Sequence, residues 1–381
     1  MRIDGVARFG LPGLFVLATA SPLAGQGIVQ DLVISGGMAG EAWRGDFVSF
    51  VIPQVDSTNQ AVAWVGEWSA NGIFNLARRE QSSLDAIVDV GFRQFAPGGF
   101  QLRRYSPREY NALLTARYHR DVADGRGGAL VAEATARKHG IDDRPPMPLY
   151  LPPGYRSYRL KAGYETTLAG SRASLTVTGE SADYGAPVLL PYLDLLDRRS
   201  AVVEAAGTRR SYRSPDSGEY SEVRFFGSYR YHTYPRQGLE GVFRVDHAVG
   251  LGGGYELSAG RMDLGVSLDG TRSWSNSRRV EYHAGRLGVQ MQLWKVWREF
   301  GLSVASDLAV KRYRHQSEEY APVPGEEADN GAALYAEITR SVARNMDAAF
   351  RLGWQRVETS FTGAYYTRFG GGFFLRVRPT R

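Results

Sequence analysis

The sequence contains no cysteine, which excludes disulfide frameworks and thiolate metal sites. Lysine is almost as scarce, with four residues among 46 basic ones, so nearly every cation is an arginine. The formal net charge of +6 is compatible with contact to anionic lipid, anionic solutes or nucleic acid. We favour a compositional habit of the source genome as the reason for the arginine bias, and we expect no nucleic-acid partner.

Long apolar runs are also missing. No stretch of about 18 or more apolar residues occurs, so a hydropathy scan predicts no membrane helix. Glycine (45), tyrosine (21), phenylalanine (17) and tryptophan (7) are plentiful. Aromatic side chains favour pleated surfaces and glycine favours tight turns, so this composition indicates a protein built from strands.

The first 25 residues have the order typical of a secretory signal. Arg2 and Arg8 precede a short apolar core at 9–20, and the small residues at 18–20 or at 23–25 form a candidate cleavage site. The apolar core is too short to span a bilayer. We therefore expect a signal peptide at 1–25 and a single domain at 26–381, exported through the periplasm.

Apolar and polar residues alternate along most of the remaining chain. In 84–93 the even positions are apolar and the odd positions include Asp85, Asp89 and Arg93. Successive side chains of a strand point to opposite faces, so each such segment has one apolar and one polar face. Tyrosine and tryptophan gather near the ends of these segments, which is typical of the aromatic girdles at membrane interfaces; they are Tyr105, Tyr118, Tyr158, Tyr231, Tyr234, Trp274, Tyr282, Trp294, Trp297 and Tyr313.

The connections between these segments alternate in length. Short ones lie near 169–171, 296–299 and 343–345, and longer ones cover 138–155, 185–196 and 315–330. Turns that are short at one end of a sheet and long at the other are typical of membrane barrels. The sequence therefore predicts an all-β fold, a closed antiparallel transmembrane β-barrel with short periplasmic turns and longer extracellular loops. The competing architecture is a soluble β-sandwich or propeller.

Eighteen candidate strands can be drawn, but the first four, at 31–40, 46–53, 58–69 and 72–80, are weakly patterned. We therefore predict about sixteen strands, with about fourteen to eighteen allowed. One candidate, 239–259, keeps its parity through the glycine run 250–254 and is predicted to be a single strand. In 279–295 the apolar phase slips between Ala284 and Leu287, which predicts a β-bulge near Gly285.

The C-terminal strand resembles the assembly signal of Gram-negative outer-membrane β-barrel proteins, a porin-like group. That signal is a polar residue, a glycine two places later, and two spaced hydrophobic residues, which Arg368, Gly370, Phe373 and Leu375 match. Family members often end on an aromatic residue, whereas this chain continues to Arg381. The resemblance implies an outer-membrane location and the barrel-assembly machinery as a partner, and it identifies no subfamily.

No catalytic constellation is recognisable. A lipase of the outer-membrane type needs serine and histidine together on the lipid-facing side, but His247 has outward parity while Ser258 and Ser267 have inward parity. A rim protease needs paired carboxylates and a His–Asp couple, and Asp246 and Glu256 show no such spacing. We expect no enzymatic activity, no metal site and no cofactor.

The inward parity positions carry many charges. Nine inward acids are expected at Asp85, Asp89, Glu133, Glu165, Glu180, Asp246, Asp269, Asp307 and Glu337. The candidates for pore lining are Arg117, Arg159, Arg224, Arg230, Arg244, Asp246, Asp269, Asp307, Arg351, Arg368 and Arg376. The simpler interpretation is cross-strand ion pairing that only fills the barrel. The functional one is a polar channel whose arginine excess favours anionic or sugar-like solutes.

Three functions stay open at this point. The first is a porin-like outer-membrane channel for small polar or anionic solutes, with the apolar segment 188–196 folded inward as a constriction. The second is a barrel without a channel, acting in surface assembly, adhesion or polysaccharide export. The third is a barrel enzyme, which a Ser/His or Asp/His pair at one rim would favour. In each case the expected surroundings are outer-membrane lipid and lipopolysaccharide.

Overall fold

The structure, a computed structural model, describes residues 28–45, 60–97, 108–122, 127–142, 154–185, 191–212, 218–239, 242–315, 330–358 and 365–379. The predicted signal peptide at 1–25 lies outside these residues. Within them, no helix is long and apolar enough to cross a membrane.

Sixteen antiparallel strands form one closed barrel, in which each strand pairs with its neighbours in sequence and the last pairs with the first. The strands are β1 (Val29–Gly45), β2 (Gln60–Arg79), β3 (Ser82–Pro97), β4 (Arg108–Val122), β5 (Gly128–Asp142), β6 (Tyr155–Leu168), β7 (Ser171–Tyr184), β8 (Arg198–Tyr212), β9 (Tyr220–Leu239), β10 (Val242–Ala259), β11 (Met262–Ser275), β12 (Tyr282–Trp297), β13 (Phe300–Tyr313), β14 (Asn330–Ala343), β15 (Met346–Glu358) and β16 (Tyr365–Val377).

The predicted fold and strand number are confirmed. The candidates 58–69 and 72–80 are one strand, β2, and the candidate 46–53 lies outside the described residues. The candidate 239–259 is also one strand, β10, which pairs with both neighbours through its glycine run. Closure removes every free sheet edge, which an open sheet would have to protect.

The β-bulge predicted near Gly285 is wrong. The pairing of β12 with β11 and β13 runs through Gly285 without a shift in register. Tyr282 and Ala284 therefore lie on the same face as Arg286, which is the inner face of the barrel. The phase slip in the sequence arose because an apolar pair occupies this inner face close to a barrel end.

A register shift in β12 does occur, but at the opposite end of the strand. It lies between Leu293 and Trp297, where Lys295 has a φ of 52°. This left-handed conformation is uncommon for residues other than glycine and accompanies the irregular end of the strand. The bulge thus belongs to the turn that leads into β13.

The two barrel ends differ as the sequence predicts. The turn end carries the connections 80–81, 123–127, 169–170, 213–219, 260–261, 298–299 and 344–345. The loop end carries 46–59, 98–107, 143–154, 185–197, 276–281, 314–329 and 359–364, with 240–241 as its short exception. The beginning of β1 and the end of β16 both lie at the turn end, since each pairs there with its neighbour.

The outer face is a band of exposed apolar side chains. Mid-barrel examples with more than half of their surface exposed are Leu114, Leu160, Leu175, Val177, Phe225, Leu251, Leu268, Phe373 and Leu375. Aromatic residues lie on this face near both ends, as the girdle prediction requires, at Tyr118, Tyr158, Tyr231 and Trp274. The prediction is wrong for Tyr234, Tyr282 and Tyr313, which pair with inward Arg244 or with each other and face inside. Tyr105 lies outside the described residues.

Candidate functional site

The interior of the barrel carries many charged side chains. Directly paired residues of neighbouring strands point to the same face, so each inward charge lies beside inward residues of both neighbouring strands. All eleven candidates for pore lining are on this inner face. Arg117 pairs with Glu133, at 3.2 Å, and Arg159 with Glu180, at 2.8 Å. All eleven side chains therefore lie on the lumen-facing side of the wall, while their role in permeation stays a prediction.

The densest group of interior charges spans the closure between β16 and β1, and we call it the seam network. Its centre is Arg93, whose guanidinium binds Glu41, Glu67 (3.5 Å) and Glu109 (3.0 Å). The full network is Glu41, Glu67, Arg93, Glu109, Glu337, Arg351, Arg368 and Arg376. Three of these eight residues, Glu41, Glu67 and Glu109, were not among the inward charges expected from parity.

Two ion pairs of the seam network cross from the last strands to the first. Arg368 on β16 contacts Glu41 on β1. Arg351 on β15 reaches Glu67 on β2 at 3.3 Å, although two strands lie between them. This reach is possible because Gly372 and Ala39 occupy the inner face directly between the two residues. Small side chains at the seam thus give the long arginine a path along the wall.

The wall opposite the seam network is lined by small residues. Gly250, Gly252 and Gly254 on β10, Gly265 on β11 and Gly288 on β12 all face inward. Of these glycines, Gly254, Gly265 and Gly288 line a cavity of about 630 Å³ between β9 and β15, which we call the main cavity. Its polar lining includes Glu222, Arg224, Glu256, Arg286, Gln290, Asp307 and Gln355.

Two further cavities, of about 480 and 240 Å³, adjoin the main cavity. Tyr335 lines all three, and its ring lies over Gly353, where a Cβ would be only 3.1 Å from the ring. The smallest of the three borders the seam network through Arg351 and Arg368. The three cavities therefore adjoin one another inside the barrel, and Tyr335 lines all of them.

At the loop end, a second buried cluster is built around Arg244 and Asp246. Both side chains are about 7% exposed, and the Arg244 guanidinium donates to both Asp246 carboxylate oxygens at 2.5–3.1 Å. The Ser275 hydroxyl donates to the same carboxylate at 2.6 Å. Neither Arg244 nor Asp246 lines any of the three cavities. We therefore interpret the pair as a structural support of the barrel mouth.

A 3₁₀ helix at Pro191–Leu196, which we call the mouth helix, lies beside this cluster. Leu193 and Leu196 are buried and pack against Tyr184, an inward residue at the end of β7. The helix is held by Arg236, which pairs with Asp194 at 2.9 Å and with Asp197 at 2.8 Å. The segment 188–196 was predicted to form a constriction. The structure shows that its described part is anchored at the mouth, and narrowing of the lumen stays a prediction.

Several inward charges have no hydrogen-bond or ion partner among the described residues. The cations include Lys161, Arg224 and Arg230, and the acids include Glu204 and Glu256. Glu41, Glu67, Glu109, Glu204 and Glu222 were missed by the list of inward acids. These carboxylates offset the arginine excess that parity indicated.

The histidines give one contact that bears on an enzyme. Ser200 and His232 face each other on the inner wall near the loop end, with 2.7 Å between the hydroxyl and Nδ1. Asp246 lies opposite His232, but its carboxylate is held by Arg244 and Ser275. In the part of the chain that the structure describes, no carboxylate orients this histidine, which a nucleophilic triad requires. His247, on the outer face, contacts the Tyr229 hydroxyl at 2.7 Å.

Comparison with known proteins finds no matching family model and no matching curated protein. Among solved structures, the outer membrane channel DcaP of Acinetobacter baumannii is 12% identical, with 93% of this chain and 98% of that chain covered and a TM-score of 0.46. A BenF-like porin from Pseudomonas fluorescens is 8% identical, with coverage of 91% and 98% and a TM-score of 0.43. A bacterial polysaccharide outer membrane secretin is 13% identical, with coverage of 91% and 98% and a TM-score of 0.40. Similarities at these values identify neither a solute nor an activity for this chain.

Proposed function

We propose that the protein is a porin-like outer-membrane channel for small polar or anionic solutes. The observation that carries the proposal is the set of adjoining cavities, each lined in part by charged side chains, inside a closed barrel of sixteen strands. Barrels of this size leave an aqueous lumen unless a loop or plug fills it. Ion pairs of the seam network occupy part of one side, where a cavity of about 240 Å³ remains, and inward Gly254, Gly265 and Gly288 line the larger main cavity.

The outer surface supports a membrane location. A belt of exposed leucine, valine and phenylalanine surrounds the barrel, and water-soluble proteins rarely expose an apolar patch of that extent. In a bilayer these apolar side chains contact hydrocarbon and are not exposed to water. Barrel closure satisfies the backbone hydrogen bonds that lipid cannot. The same belt is where outer-membrane lipid and lipopolysaccharide are proposed to contact the protein.

The proposal is tested by adding purified protein to planar lipid bilayers in KCl. We expect stepwise increases in current, one step per inserted channel, because the cavities connect through a hydrated lumen. A tenfold KCl gradient across the same bilayer gives a reversal potential whose sign reports anion or cation preference. Protein that is folded and inserted but electrically silent at every voltage and salt concentration would count against a channel.

Anion preference depends on which charges meet the solute. Arg224 lines the main cavity without an ion partner among the described residues, and it is exposed. The inward carboxylates near it, Glu222 and Glu256, work in the opposite direction. We therefore propose a moderate selectivity, and the reversal potential decides its sign.

We also propose the barrel-assembly machinery as a partner. Of the four signal positions on β16, Phe373 and Leu375 are exposed on the outer face, by 71% and 53%. Arg368 faces inward to Glu41, and Gly370 lies opposite Glu41 on β1. Co-purification of the machinery with a stalled assembly intermediate, compared between the natural chain and a variant with Phe373→Ser and Leu375→Ser, tests this partnership.

A further inference from the structure

The main cavity holds two charged side chains that the protein itself leaves unused. Arg224 on β9 and Glu256 on β10 both line it, and neither has a hydrogen-bond or ion partner among the described residues. This is unusual for the cavity, because its other charges are engaged: Arg286 binds Asp307 at 2.6 Å and Glu222 binds Arg210 at 2.8 Å.

The register fixes how far apart the two free charges are. Arg224 lies directly opposite Gly254, and Glu256 is two residues further along the same inner face of β10. Such diagonal neighbours have Cα atoms about 7–8 Å apart. Their side chains can contact the same solute from two sides. In the structure they form no ion pair with each other.

We propose that Arg224 and Glu256 form a binding subsite for a small zwitterion, a free α-amino acid, on the pathway through the lumen. The guanidinium binds the solute carboxylate with two parallel hydrogen bonds, and the Glu256 carboxylate accepts from the solute ammonium group. A solute that carries an ammonium and a carboxylate group on one carbon spans the two side chains, whereas an ion with one charge leaves one of them unpaired.

The rest of the cavity suits the remaining parts of such a solute. Phe226 lies over Gly252, so close that a Cβ at that glycine would come within 2.4 Å of the ring, and it presents an apolar surface to the cavity. Tyr335 offers a second ring at the junction of the three cavities. A volume of about 630 Å³ holds an amino acid together with the water that it retains. This inference rests on the proposed channel and names its solute class.

The test is the block of single-channel KCl current by four small solutes at pH 7. Serine carries both charges, lactate only the carboxylate, ethanolamine only the ammonium, and glycerol neither. We expect serine to reduce the current at the lowest concentration, about ten-fold below lactate and ethanolamine, with glycerol weakest. Lactate acting as strongly as serine would overturn the proposal in favour of a simple anion site.

Two variants locate the subsite. In Glu256→Gln the half-blocking concentration of serine should rise about ten-fold, to that of lactate, and in Arg224→Gln it should rise to that of ethanolamine. The matched controls are Lys161→Gln and Glu204→Gln, which neutralise inward charges that also lack partners but lie outside the main cavity. Controls that weaken serine block as much as the subsite variants would show a general effect of lumen charge and refute the subsite.

The two proposals fail in different ways. No KCl current from the natural protein contradicts the channel itself. Normal KCl current that serine leaves unchanged contradicts only the subsite. The comparison of the four solutes needs no variant, so a substitution that prevents folding does not remove the test.

Discussion

Arg93 is the residue on which the largest number of interior contacts depends. Its guanidinium is 18% exposed and serves three carboxylates on three different strands. Removing one partner from a buried ion pair is far more costly than the net worth of the pair, because the remaining charges stay desolvated. Glu41, only 6% exposed at its side chain, is the acid with least access to water.

We therefore expect Arg93→Ala to lower the free energy of unfolding by about 3–5 kcal/mol. The measurement is urea-induced unfolding of the protein reconstituted in lipid vesicles. The matched control is Arg286→Ala, whose pair with Asp307 is 62% and 37% exposed, so it should change by less than about 1 kcal/mol. Equal effects from both substitutions would contradict the central role of Arg93.

For individual residues, alternation along a strand predicts which face of the barrel wall a charged side chain lies on, but not which residues it contacts. The positions of Arg351 and Arg368 on the inner face follow from alternation alone. Their contacts with Glu67 and Glu41 do not, because these depend on how the last strands register against the first. Glu41 and Glu67 were missed for a related reason: β1 and β2 are the weakly patterned strands, since their inner face also carries apolar Trp43 and Val65.

Among the elements, β16 fits closely against β1. It pairs with β1 from Val377 to Tyr366 and contains the run 370–372 of three glycines. At Gly372 a Cβ would come within 2.5 Å of the Met38 carbonyl oxygen and 2.7 Å of Ala39 Cα. The backbone of β1 occupies that space, so the neighbour cannot move away as a flexible side chain would.

Gly372→Val should therefore weaken closure of the barrel, with a loss of about 1–3 kcal/mol from overpacking and a lower yield of folded protein. The control is Gly179→Val on the outer face of β7, where nothing lies within 4 Å of the added Cβ. The shift in gel mobility between heated and unheated samples measures the folded fraction. A normal folded fraction for the valine at 372 would mean that the seam is looser than the structure shows.

Element boundaries were predictable where patterning is strong and less so where local breaks mislead. The short connections predicted near 169–171, 296–299 and 343–345 coincide with observed turns, because alternation is continuous in the strands on either side of them. Strand β2 was divided into two candidates around 70–71, although it runs unbroken from Gln60 to Arg79. The mistaken bulge near Gly285 has the opposite origin, since inward apolar residues near the mouth imitate a change of face.

At the scale of the whole molecule, the apolar belt on the outer face determines whether the barrel is more stable in lipid or in water. Leu251 is 67% exposed in the middle of β10, between outward Gly227 and Gly270. In a membrane this side chain faces hydrocarbon, where an arginine costs about 2–4 kcal/mol near the midplane.

Leu251→Arg should accordingly lose about 2–4 kcal/mol of stability in lipid vesicles, measured by urea unfolding. The same arginine introduced on the inner face, as Thr176→Arg, should be tolerated, because Thr176 lies opposite inward Glu204. Equal tolerance at both positions would remove the basis for a lipid-facing exterior. The contrast needs no knowledge of the solute.

At this largest scale the sequence was most informative, because a period of two repeated over the whole chain can be satisfied by few architectures. What it left undetermined is the distribution of empty space. The main cavity exists because inward glycines from β10, β11 and β12 become neighbours, and that adjacency depends on the shear of the closed sheet. Individual strands carry no signal for it.

The seam network divides into two halves of opposite sign. On β1–β4 three carboxylates surround the single guanidinium of Arg93, which leaves a net charge of −2. On β14–β16 three arginines accompany the single carboxylate of Glu337, which leaves +2. In the closed barrel the two halves meet where β16 pairs with β1, and their opposite charges neutralise each other. The first and last strands of the barrel are therefore held together by opposite charges as well as by backbone hydrogen bonds.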